Sequence, residues 1–130
     1  MARTAPTVRP GCSIGIVDDY VRADVGPGHA GEIQQCYQDW ACACLSGKYQ
    51  RALLVGTSQG DEFAHLAARD AIASMAVAGI PAEFRLGVVA RNVLLITIYD
   101  AVVVAARRHG IDARRFQDEE EAVRWLGATP

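Results

Sequence analysis

Phe84-Arg-Leu-Gly-Val-Val-Ala90 and Ile111-Asp-Ala-Arg-Arg-Phe116 flank an apolar segment that opens near Asn92 and runs to Arg107, Arg108, His109 and Gly110. The outer pieces have the length of strands, and the middle one is long enough only for a helix. Positive side chains in a last turn followed by glycine are a helix-stop signal. The stretch therefore spells strand, helix, strand, the unit that joins parallel neighbours in a sheet.

Working towards the N-terminus, Arg51-Ala-Leu-Leu-Val55 is a short continuous apolar run, as expected for a strand buried on both faces. Between it and Phe84, Gly56 to Gly60 reads as a loop. Asp61 to Gly79 then reads as a helix with Phe63, Leu66, Ala67, Ala71, Met75 and Ala78 in its stripe. Upstream, Ile33, Cys36, Tyr37, Trp40, Cys44 and Leu45 recur at helical spacing through His29 to Gly47. Cys12 to Val17 and Tyr20 to Val25 alternate around Asp18-Asp19 and predict a β-hairpin. Downstream, Asp118 to Glu121 has capping-box spacing, with acids at the positive end of a last helix carrying Ala122, Val123, Trp125 and Leu126. The expected order is ββαβαβαβα: an α/β fold with a mixed sheet of about five strands and four helices. Residues 1–10 are expected to be a flexible tail, and 11–130 a single domain.

The 130 residues carry a net charge of -2, with 51% hydrophobic and 22% charged side chains. Nothing in that balance calls for nucleic acid or an anionic membrane as partner. MARTAPTVRP has no apolar run of the secretory kind, and Val93 to Ala106 is short of the roughly 20 residues that cross a bilayer. A cytoplasmic location without membrane insertion is the expectation. In that compartment Cys12, Cys36, Cys42 and Cys44 are expected to be reduced thiols. No CxxC spacing suggests a metal site.

The segment from Phe84 to Ala90, the helix ending in Gly110-Ile111, the strand ending in Phe116 and the helix with Trp125-Leu126 together resemble the bacterial SpoIIAA-like branch of the STAS (anti-sigma-factor antagonist-like) superfamily. The motifs cover the last third of the chain, and the element order extends the likeness over most of the domain. The resemblance implies a non-enzymatic regulatory module that binds protein partners. Some such proteins are switched by phosphorylation of a serine or threonine at the start of the helix after the third strand. Here that place holds Thr57 and Ser58, the candidate phosphoacceptor loop, although the Asp-Ser-Ser-Gly-type sequence of the phosphorylated antagonists is missing. A purely structural reading stands beside it, since Ser58 or Asp61 also suits a helix cap.

Other readings are drawn from the residues themselves. Gly26, Gly28 and Gly31 fit G-x-G-x-x-G between a strand and a helix, the candidate phosphate loop of a nucleotide-binding enzyme. Against it, Gly56-Thr57 follows the next strand where an acid should hold a ribose. His29, His65 and His109 lie in separate elements with no Ser-His-Asp or His-x-x-x-His grouping, so no catalytic residue and no cofactor are expected. Arg107, Arg108, Arg114 and Arg115 suggest a basic patch at one end of the sheet. Val93, Leu94, Leu95, Ile96, Ile98, Val102, Val103 and Val104 cover most of the third helix. Its spare face is expected to serve burial and a homodimer contact, with a cavity for a small apolar or lipid-like ligand as the alternative.

Overall fold

A computed structural model describes residues 7–9, 12–26, 30–47, 49–56, 62–81, 83–91 and 93–127. Its single sheet follows chain order: β1 (Thr7–Arg9), β2 (Cys12–Val17), β3 (Tyr20–Val25), β4 (Arg51–Gly56), β5 (Arg85–Ala90) and β6 (Asp112–Phe116). The helices are α1 (Ala30–Gly47), α2 (Glu62–Ala78), α3 (Ile96–Arg108, entered through a 3-10 turn at Val93–Leu95) and α4 (Glu119–Gly127). The expected order holds, with one strand added in front. β1 lies inside the stretch read as a tail and pairs antiparallel with β2, Thr7 opposite Ile14 and Arg9 opposite Cys12. Three residues between prolines are too few to show a period of two, which is why the sequence hid it.

β2 and β3 form the expected hairpin, in register from Cys12 opposite Val25 to Val17 opposite Tyr20. Asp18 turns the chain with φ of 53°, a left-handed conformation that its short polar side chain tolerates. From β3 to β6 every pairing is parallel. Each crossover advances one strand in the same direction, so helices of constant hand stack on one face. α1 packs on α2 and α2 on α3, while α4 covers β4, β5 and β6 from the other side.

The period of two then sorts the strand residues. Ala52, Leu54, Leu86 and Val88 join the core beneath α1, α2 and α3, whereas Leu53, Val55, Val89 and Tyr20 pack with Ala122 and Leu126 of α4. Trp40, Tyr37, Tyr99 and Phe84 are the bulkiest fully buried side chains. The Trp40 indole N–H donates to the Val21 carbonyl at 3.4 Å, so its polar atom is not stranded. Phe116 and Trp125 are partly buried against the α4 core, rings 5.6 Å apart, and the guanidinium groups of Arg85 and Arg114 lie over the indole.

α1 buries the predicted stripe, with Leu45 at its margin. α2 is rotated from its predicted stripe: Ala67, Ala68, Ala71, Ile72 and Met75 are inside, and Leu66 is 45% exposed. Alanines carry too little contrast to fix a helix face from sequence, and this shift leaves a leucine outside. α3 is also less enclosed than its composition suggested. Leu95, Tyr99, Val102, Val103 and Ala106 face inward, while Val93 and Val104 are exposed. Gly79 and Gly110 close α2 and α3 at φ of +90° and +82°, with Ile80 N–H bonding to Met75 carbonyl and Ile111 N–H to Ala106 carbonyl.

The cysteine expectation is corrected. Cys12 on β2 and Cys36 on α1 form a disulfide across 24 residues, with Cα atoms 5.8 Å apart, and only Cys42 and Cys44 are free. Cys12 faces the α1 side of the sheet and Cys36 is fully buried there. The pairing depends on hairpin register and helix rotation together, which no cysteine spacing reveals.

Candidate functional site

Charged and hydroxyl side chains gather where β3, β4 and β5 end. On the α4 side, Arg22 alternates with buried Val21 and Ala23 and therefore faces the last helix. Its Nε donates to Glu119 Oε2 at 2.8 Å and its Nη2 to Glu119 Oε1 at 3.0 Å, a two-pronged contact. Arg91, just past β5, donates to the same Oε1 at 2.6 Å. Asp24 approaches Arg22 Nη2 at 3.4 Å. α4 starts here because Asp118 accepts the Glu120 N–H at 3.0 Å, the capping contact the sequence predicts.

The Arg22 hydrogen bonds hold the Glu119 carboxyl below its usual range, with the charge of Arg91 adding to the effect. Glu119 in turn raises the Arg22 guanidinium. Burial, then the negative charge of Glu119, pushes the nearby Tyr20 phenol up. A carboxylate whose folded pKa is depressed contributes stability that is full above the unfolded carboxylate value of about 4.3 and is lost as pH falls through the folded value. Glu119→Gln should therefore cost on the order of 1 kcal/mol at neutral pH and flatten the acid limb of a stability-against-pH curve from urea unfolding. Equal acid limbs for the two proteins would refute the assignment.

On the opposite face of the same edge, the Tyr37 and Tyr99 hydroxyls meet at 3.1 Å, both buried. Burial raises both phenols, Tyr37 well above its normal value and Tyr99 to about 12. Burial also pushes the Cys44 thiol up, which makes it an inert core group. Tyr99 lies directly over Gly56, where any β-carbon would overlap its ring and hydroxyl.

Two surface depressions lie elsewhere. One, of about 230 Å³, sits at the start of β4 to β6 between Gln50, Arg51, Glu83, Arg85 and Asp112. Its guanidinium groups are engaged: Arg51 with Asp19 at 2.8 Å, and Arg85 with the Trp125 carbonyl at 3.1 Å. The other, of about 380 Å³, runs between α2 and α3, with Leu66, Ala73 and Ala105 as apolar walls. Arg69, Asp70, Arg108 and His109 supply its charge and polarity. Among the described residues none of these four side chains has a hydrogen-bond or ion-pair partner.

Thr57, Ser58, Gly28 and His29 fall outside the described residues. Gly26 is buried directly after β3. Gly31 occupies the first turn of α1, exposed and with open space where a side chain would project. His109 ends α3 as expected. The four-arginine patch is not formed. Arg114 stacks on Trp125, Arg115 pairs with Asp100 of α3, Arg107 donates to the Ala113 carbonyl, and only Arg108 reaches the α2–α3 depression. Successive strand residues point to opposite faces, so Arg114 and Arg115 had to part.

Sequence reading missed the Arg22–Glu119–Arg91 cluster and the tyrosine pair. The available signal was Arg22 and Asp24 alternating with apolar residues, which requires a polar neighbour on that face. No described helix is long and apolar enough to cross a membrane, and no group of three metal-ligating side chains is assembled among the described residues. No family model, curated protein or solved structure matches the chain.

Proposed function

We propose that this chain is a SpoIIAA-like member of the STAS superfamily, a non-enzymatic regulatory module that acts by binding protein. The observation that carries the reading is the α2–α3 depression: exposed Leu66 and half-buried Ala73 and Ala105 bordered by charges that have no partner among the described residues, in contrast to the paired Arg22–Glu119–Arg91 cluster. Unpaired charge around an exposed apolar strip suits a protein contact. Sequential strand order and three helices on one face are compatible with the superfamily layout. Thr57 and Ser58, following β4, are the residues proposed for phosphorylation.

Two alternatives have less support. A nucleotide site in an open α/β sheet uses a point where strand order reverses, and this order has no reversal. The third glycine of the loop normally allows close helix packing, whereas Gly31 has nothing near it. A small apolar ligand beneath α3 would have to displace Tyr99, Val102, Val103 and Ala106, which fill that space.

A cytoplasmic location is proposed together with this role, although disulfides persist mainly in oxidising compartments. Burial shields both sulfurs of Cys12–Cys36 from attacking thiolates. The module reading is tested by calorimetry with NAD, NADP and ATP at millimolar concentration. No heat is expected, and saturable heat with any of them would replace it with the nucleotide-binding alternative.

A further inference from the structure

Leu66, Arg69, Asp70 and Ala73 occupy positions i, i+3, i+4 and i+7 of α2 and so share one helix face. All four line the α2–α3 depression. Read backwards, the face complements itself. In an antiparallel pair of α2 helices whose two-fold axis passes between positions 69 and 70, Leu66 falls opposite the Ala73 position and Arg69 opposite the Asp70 position. A large apolar side chain meets a small one, and a cation meets an anion, on both sides of the axis. Two-fold interfaces demand this property, since every contact from residue i to residue j is repeated from j to i.

We infer that a second copy of this chain docks on α2 in this register. The proposal rests on the protein-binding reading above and names the partner of that surface. Two further observations support it. Arg69 and Asp70 are adjacent yet paired neither with each other nor with anything else among the described residues. Leu66 stands 45% exposed on a helix whose inner face is already filled by Ala67, Ala68, Ala71, Ile72 and Met75. The contact therefore takes nothing from the core. Arg108 from α3 also lines the depression.

Sedimentation velocity on the full chain across a range of concentrations tests the register. Wild type should pass from monomer to dimer. Arg69→Glu should weaken dimerisation about tenfold or more, because the axis repeats each lost pair and each new repulsion twice. Leu66→Asp should do the same by placing a charge against the apolar wall. Both positions are exposed, and unchanged circular dichroism shows that the variants fold. The decisive protein is the double variant Arg69→Glu with Asp70→Arg. It exchanges the charges and preserves their complementarity, so it should restore dimerisation to within a few-fold of wild type. A monomer at every concentration, or a double variant no better than Arg69→Glu, overturns the proposal. A monomeric chain that binds a different protein through α2 would sink the second-copy inference and leave the module reading standing. Saturable nucleotide heat would sink that reading itself.

Discussion

Removal of the Cys12–Cys36 bond lowers the unfolding free energy by about 3 kcal/mol. The magnitude follows from closing a loop of 24 residues, which restricts the unfolded chain more than the folded one. The local consequence is larger at the sheet edge. β1 pairs only with β2, and β2 is held to the helical layer through its contact with α1. Without the crosslink that corner loses the covalent tie to Cys36, while β4 and β5 keep cover on both faces. Urea unfolding of Cys12→Ala/Cys36→Ala against wild type measures the effect, with hydrogen exchange reporting faster opening in Cys12–Val17 than in Arg85–Ala90. Thiol titration of unfolded wild type should give two free cysteines before reduction and four after it. Superimposable unfolding curves would show that the bond does not hold the edge.

A comparable loss is expected from one methyl group. Gly56→Ala places a β-carbon inside the space taken by the Tyr99 ring and hydroxyl. Tyr99 has no exposed direction in which to retreat, and its hydroxyl is tied to that of the fully buried Tyr37. Relief requires the ring or the strand to move, which strains the packing and separates the two hydroxyls. Overpacking of this kind costs roughly 1–3 kcal/mol and an unpaired buried hydroxyl a similar amount, so about 3 kcal/mol is expected overall. Gly31→Ala is the matched control. Its position is helical with open space, and alanine there should stabilise by about 0.5 kcal/mol. Denaturant midpoints of the two variants shifting in the same direction would contradict this account of both glycines.

Tyr37 and Gly56 also show where sequence reading works and where it stops. Helix faces with strong contrast, such as Ile33, Cys36, Tyr37, Trp40 and Cys44, were legible because water exclusion writes a period into the chain. So were the Asp18-Asp19 turn, the Gly110 stop and the Asp118 cap, each fixed by local backbone chemistry. In α2, where alanines supply most of the apolar positions and carry little contrast, Ala67, Ala71 and Met75 were placed inward as found, but the face is turned enough to leave Leu66 outward. Contacts made between distant positions were invisible. Tyr37 meets Tyr99 across 62 positions and Arg22 meets Glu119 across 97, so neither cluster exists until the sheet brings its strands together. The acids of Asp118 to Glu121 were read as a helix-end charge run. Only the three-dimensional arrangement singles out Glu119 as the residue that two arginines grasp.

On the proposed reading, the outer face of α2 and α3, and not the strand ends, is the surface through which this protein acts. Hydroxyl-radical footprinting of the full chain, dilute and then concentrated or partner-bound, reads it most directly from side-chain oxidation. Leu66 and His109 should become protected while exposed Val17 and Val93 keep their reactivity. Unchanged oxidation at Leu66, with protection appearing instead at Arg22, Arg91 and Glu119, would contradict it.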